Sequence, residues 1–235
     1  RDPVVGVSEA VRMANRLGLT GAHDMSGNVD AFLTVLKEGN LTMRIWAGTF
    51  AGPSDDLGSH FDVLDTEKER ARTIVAKNGR SEAIGPLFEI GYVKMMIDGV
   101  LSTRTALMYE PYSDQPATSP EPFINKAHLD DMVAAAHNAG WPVAIHAIGD
   151  QGVSWVLDAF EKSPSGPNAL MDRIEHIEVV TPTDVKRFEQ LDIAASMQPH
   201  HATCCVGDYV IDRIGRERLP NAYVWRQMLD NGNHL

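Results

Sequence analysis

Two kinds of segment alternate along this chain, and few folds satisfy that alternation. Helix-periodic stretches (SEAVRMANRLGL, VDAFLTVLKEGN, HLDDMVAAAHNAG, GVSWVLDAFEK and TPTDVKRFEQLD) are separated by short apolar, β-branched runs: LTGAHD, MRIWAGTF, YVKMMID, PVAIHAIG, RIEHIEVV and IAASMQP. Runs that are apolar on both pleat faces belong to strands covered from both sides. Strands and helices alternating at this rhythm build parallel βαβ units. Six such strands in 235 residues, 43% of them hydrophobic, predict a single α/β domain over residues 1–235. Ser8, Asn28 and Thr181 stand where helix N-caps belong, and Thr181 is followed by Pro182 and Asp184.

Two segments break the rhythm. Residues 51–84 are polar and helical-looking, with the charged run DTEKERAR. Residues 99–127 read as a long loop with four prolines between 111 and 122. A loop of that length after a strand covers a site or is disordered. The net charge of -11, without Lys/Arg clusters, argues against a nucleic-acid partner. No apolar run approaches the ~18 residues of a membrane span, so no membrane partner is expected. Cys204 and Cys205 are adjacent and form no disulfide framework, which fits a reducing, cytoplasmic setting.

The strand ends carry polar groups that a plain core would not. They are Lys94 in YVKMMIDG, His146 in VAIHAIGD, His176 in RIEHIEVV and His200–His201 in SMQPHHAT, with His23–Asp24 in GAHD as a weaker set. His146 and His176 are thirty residues apart (176 − 146), one βα unit, so both can reach the same end of a parallel barrel. A lone strand-end histidine is more often a hydrogen-bonded core residue than a ligand. Two at this spacing make the ligand reading its equal. Lys94 lies between Val93 and Met95 and is the sharper anomaly, since lysine is rarely buried without a partner. It either snorkels or is a desolvated amine capable of covalent chemistry. Asp24, Asp98 and Asp150 read by default as helix caps. His60, His128, His137 and His234 read as surface residues.

At these residues the chain resembles a known family. VKMMIDGVLSTRTALMYEPYSD, VAIHAIGDQGVSWVLDAFE, RIEHIEVVTPTDVKRFEQLDIAASMQPHHAT and the weaker GLTGAHDM are similar to blocks of the family-3 branch of the metal-dependent amidohydrolase superfamily. That group includes N-substituted formamide deformylase-like and YtcJ-like proteins. The blocks occur in the family's order and span nearly the whole chain. The resemblance implies a (β/α)8 TIM-type barrel with a small β-sandwich. It implies that His146 and His176 bind a divalent metal, most often zinc. It makes Lys94 the fourth-strand lysine, carboxylated in many relatives to a metal-ligating carbamate. Carboxylation gives a buried lysine a physical rationale, because a costly ammonium becomes an anionic oxygen ligand. The catalytic set is then Lys94, His146 and His176. Asp98, Arg104, Tyr112 and His201 are expected on the substrate side, with Arg104 open to a second reading as the ion-pair partner of Asp98.

The family's first-strand His-x-His pair does not occur here, nor does its eighth-strand catalytic Asp, and the chain ends after the helix-like YVWRQMLDNG. The expectation is a partial barrel, strands two to seven, truncated at both ends and lacking the β-sandwich. Either further segments of the same polypeptide or a second copy would complete it. The expected activity is hydrolysis of non-peptide C–N bonds in a small-molecule substrate through a metal-activated water. The alternative is a non-catalytic barrel that binds a ligand or partner in the same mouth. A metal-free Schiff-base role for Lys94 ranks last, because it leaves the paired histidines without a purpose.

Overall fold

The computed structural model describes residues 2–53, 57–78, 85–166, 170–203 and 209–235. Cys204 and Cys205 lie outside them. The chain divides into two compact units, Arg1–Ala51 with Asp55–Lys94, and Gly52–Ser54 with Met95–Leu235.

The first unit opens with α1 (Pro3–Arg16). Asp2 caps it, its carboxylate accepting from Val4 N, and Pro3 occupies the first helical position. Ser8, expected as the cap, lies inside the helix. Asp-Pro starts the helix earlier because proline's missing N–H costs nothing in a first turn. Then follow β1 (Gly21–Asp24), α2 (Val29–Lys37), β2 (Arg44–Phe50), α3 (Leu57–Lys77) and β3 (Phe88–Met96). Asn28 precedes α2 without a capping bond; its amide donates to Ser26 Oγ instead. β1 pairs with β2, and β2 with β3, all parallel. α2 buries Ala31, Phe32, Leu33, Val35 and Leu36, and Phe32 stacks on Phe88 at 5.8 Å. The charged α3 matches the helical reading of 51–84 where it is described, and Arg72 and Arg70 anchor it to Glu89 and Asp30.

The second unit holds the end of β3, then a 3-10 turn (Leu101–Thr103), α4 (Lys126–Asn138), β4 (Val143–Ala147), α5 (Asp150–Lys162) and β5 (Arg173–His176). It continues through α6 (Pro182–Gln190), β6 (Ala194–Ser196), α7 (Pro199–Thr203), α8 (Tyr209–Arg218) and α9 (Trp225–Asp230). Thr181 caps α6 as expected, accepting from Asp184 N. Asn125, unremarked in the sequence, caps α4 through His128 N. β4 pairs with β5, and β5 with β6, in parallel. All five residues of β4 are buried, as a strand covered on both faces requires. The sheet order is β1-β2-β3-β4-β5-β6. Sequential parallel strands with helical crossovers are the topology of part of a (β/α)8 barrel, in agreement with the sequence. Among the described residues no helix is long and apolar enough to cross a membrane.

His137 corrects the surface reading. It is 3% exposed in its side chain, and its Nε2 faces Asp172 Oδ2 at 3.2 Å. Its Nδ1–H donates to the Ser163 carbonyl, and its ring stacks on Phe160 at 6.0 Å. Asp172 also accepts from Val143 N at 2.7 Å, so the pair joins the entry of β4 to the ends of α4 and α5. Burial opposes the charged imidazole, but Asp172 and the Ser163 carbonyl outweigh it and raise the His137 pKa. A raised folded pKa stabilises the protein below the ordinary histidine value of about 6.5, and that stability is lost as pH rises through the raised value. Urea unfolding across this range should therefore show stability falling with increasing pH. His137→Ala should flatten that slope and cost about 3 kcal/mol at the acidic end, since it strands a buried carboxylate. An unchanged slope in the variant would remove the pair as its source.

Candidate active site

Two strand ends in the second unit present imidazoles. His146 is the penultimate residue of β4, and His176 is the last of β5. The register sets His146 beside Glu175 and Ala147 beside His176. A strict pleat would turn His176 away from the face His146 occupies. The chain leaves extended geometry at this point: φ is 81° at His176 and 51° at Ile177. Left-handed backbone at a β-branched residue such as Ile177 is a genuine outlier, costing roughly 1–3 kcal/mol, and such strain clusters at functional sites. The rings of His146 and His176 meet edge to face with centroids 4.5 Å apart.

Hydrogen bonds define which nitrogen of each ring carries the proton. His146 Nε2–H donates to Gly99 O at 2.9 Å. His176 Nδ1 lies 2.7 Å from Gln198 Oε1, and the Gln198 amide nitrogen donates to Ser196 O at 3.0 Å. That second bond fixes the amide orientation, so Gln198 accepts and His176 Nδ1–H donates. Proton placement leaves the lone pairs on His146 Nδ1 and His176 Nε2. His201, on α7, stacks on His176 at 5.4 Å and 9°. It donates from Nδ1 to Glu178 Oε1 at 3.1 Å, and Tyr223 donates to Glu178 Oε2 at 3.3 Å. Burial raises the Glu178 pKa, with His201 and Tyr223 acting against it.

Asp98 is fully buried, and backbone amides supply its partners. Oδ2 accepts from Leu107 N and Gly149 N, both at 2.9 Å, and Oδ1 accepts from Ile148 N at 3.0 Å. It caps no helix, which corrects the default reading of its position. Burial pushes its pKa up to about 7, against the lowering effect of these three amides. Tyr112 is buried too, and its hydroxyl donates to Ala106 O at 2.8 Å. Burial first, then the Asp98 charge, raises its pKa. Arg104 forks onto Asp114 at 3.0 and 2.8 Å, and Arg213 joins the same carboxylate. The suggested Arg104–Asp98 pair therefore gives way to an Arg104–Asp114 pair. Lys94 belongs to β3 in the first unit, is 5% exposed, and its carbonyl accepts from Ala51 N at 2.9 Å.

The structure thus brings His146, His176 and His201 together and sets Asp98 behind His146. Arg104 and Tyr112 hold the 99–127 loop. The sequence reading missed Gln198 and Glu178. Glu178 had a usable signal, because an acid inside the apolar IEVV run is as anomalous as Lys94 in its own strand. Two imidazoles, each oriented through one nitrogen by an oxygen, are donors of the kind divalent metals take. Among the described residues no group of three or more His, Cys, Asp or Glu gathers in a metal-holding arrangement. The donor set fits a metal in kind.

A parallel sheet with polar side chains gathered at its strand ends, two of them paired histidines, is the layout in which barrel enzymes build their sites. Comparison with known proteins agrees: the Amidohydrolase family model (Amidohydro_3) matches residues 5–235, and the chain belongs to that family. YtcJ of Bacillus subtilis (strain 168), which carries the name amidohydrolase, is 31% identical over 215 residues, covering 92% of this chain and 38% of YtcJ. An uncharacterized metal-dependent hydrolase from Pyrococcus horikoshii OT3 superposes with a TM-score of 0.77 at 29% identity, over 97% of this chain and 43% of that one. One from Pyrococcus furiosus gives 0.75 at 31%, over 95% and 43%. The chain therefore spans less than half the length of these relatives.

Gly149 lets the 99–127 loop close over α5. A Cβ there would stand 2.0 Å from Leu107 O and 2.5 Å from Leu107 C. Both contacts are backbone, so no side chain can yield. Gly149→Ala should cost about 2–3 kcal/mol and raise amide exchange at Leu107 and Gln151, the latter donating to Leu107 O in the native fold. A variant as stable as wild type would mean that the loop repacks without loss.

Proposed function

We propose that this chain is part of a metal-dependent amidohydrolase that cleaves non-peptide C–N bonds of a small molecule. The observation that carries this reading is the His146–His176 pair, with adjacent strand ends, strained backbone at His176, and both rings oriented by oxygen acceptors. His146 Nδ1 and His176 Nε2 are the proposed ligand atoms. A divalent metal, zinc foremost, supplies Lewis acidity, lowering the pKa of water and polarising a carbonyl. We assign Lys94 as the carboxylated lysine of the family pattern; its burial suits a side chain that exchanges an ammonium for a carbamate. His201, held by Glu178, stands on the substrate side, where an imidazole can bind a polar group. The adjacent, framework-free cysteines favour a cytoplasmic setting.

Metal content of the purified protein tests this reading. The expected result is about one zinc per chain, lost in a His146→Ala/His176→Ala double variant that keeps its helical circular dichroism. Isotopically labelled bicarbonate should also give a carbamate carbonyl resonance that Lys94→Ala removes. Metal retained by the double variant, or none taken up by the wild type, would sink the assignment.

A further inference from the structure

His146 Nε2 faces more than the Gly99 carbonyl. Asp98 Oδ1 lies 3.4 Å from it, with the side chains 8% and 0% exposed. The donors around Asp98 come from two places, Leu107 in the long loop and Ile148 and Gly149 just beyond β4, while Asp98 itself follows β3. Ile97, its neighbour, donates to His146 O at 3.0 Å, so the backbones on either side of the contact are also tied. Gly152 leaves room for the carboxylate, since a Cβ there would meet Oδ2 at 3.0 Å. Asp98 is thus fixed before His146 is considered, and it presents a carboxyl oxygen to one nitrogen of that ring.

We propose that Asp98 is the positioning residue for His146: with Gly99 O it gives Nε2 two oxygen neighbours, holds the proton there, and so commits Nδ1 to lone-pair donation. The inference rests on the metal-ligand reading for its purpose, but not for its geometry. An imidazole with its proton on Nδ1 would set an Nε2 lone pair against a carbonyl and a carboxylate, which is repulsive. Nothing in this role brings Asp98 to substrate. It acts through the ring, as carboxylates do behind metal-bound histidines, where their loss typically lowers metal affinity 10–100-fold.

Nitrogen-15 NMR of the His146 ring in metal-free protein tests the proposal directly. At neutral pH the wild type should show a single tautomer, protonated at Nε2. Asp98→Asn directs an NH2 group toward partners that are all donors, so it should yield a tautomer mixture. Cobalt(II) affinity, read from the visible spectrum, should then fall 10–100-fold. Asp98→Asn is also prone to unfolding, so the wild-type tautomer is the primary measurement. A wild-type ring protonated at Nδ1 overturns the proposal, as does a folded Asp98→Asn with unchanged tautomer and cobalt affinity. If His146→Ala/His176→Ala leaves cobalt binding intact, the metal reading fails while the tautomer result still decides the role of Asp98.

Discussion

One carboxylate organises the second unit around its site. Three backbone N–H groups, from a loop and from the turn after β4, converge on Asp98. A fully buried anion is costly, and in isolation it would be neutralised or excluded. Charge-assisted hydrogen bonds, each stronger than a neutral one, offset part of that cost, and burial still leaves the pKa raised to about 7. Those bonds impose geometry in return. They place the Gly149 turn against Leu107, align the end of β3 with the end of β4, and bring a carboxyl oxygen to His146. The long loop, which the sequence left open between covering a site and disorder, is held by this network and by the Arg104–Asp114–Arg213 cluster. Its aromatic anchor, Tyr112, packs among Leu101, Ala106, Ile148, Val179 and Ile214.

The second constraint is strain. His176 and Ile177 both adopt positive φ, and no glycine relieves either position. Ile177 N still donates to Ala147 O at 3.1 Å, so pairing with the neighbouring strand outlasts the departure from extended geometry. The consequence is that His176 reaches the ring of His146 although the register assigns it to the other side of the pleat. A fold selected for stability alone would place asparagine or glycine here. The strain is concentrated where two imidazoles meet, and the interlocking bonds of Gln198, Ser196 and Glu175 surround it.

What the sequence made legible was periodic or anomalous. The six strands and most helices were readable because alternation and apolar periodicity are local properties, and the segments are long enough to express them. His146, His176 and Lys94 stood out because polar groups at the ends of, or within, apolar strands conflict with burial. Partners were not legible. Arg104 finds Asp114 rather than Asp98 because a left-handed turn at Arg104, φ 61°, redirects the loop. His137 looked like a surface residue because its partner, Asp172, lies 35 residues away (172 − 137) and meets it only when α4 and β5 are assembled. Ser8 misled because a cap residue type recurs inside helices, whereas Asp2-Pro3 is the rarer and stronger signal.

The electrostatics around the paired imidazoles has a direction. Asp98, Glu175 and Glu178 are all buried, and Glu178 raises the pKa of Asp98 through the space between them. Glu175 is matched by Arg173 at 2.6 Å and by Ser196. Glu178 meets a histidine and a tyrosine, neither of them a permanent cation. Among the described contacts Asp98 meets amide dipoles and an imidazole edge. Both acids are buried, and the contacts described for them come from backbone amides, a tyrosine hydroxyl and imidazole rings. Like charges so arranged destabilise one another and are relieved by any cation that settles between them. On the proposed metal-ligand reading the rigid orientation of the rings has a purpose, because a nitrogen free to rotate would present N–H rather than a lone pair to the cation.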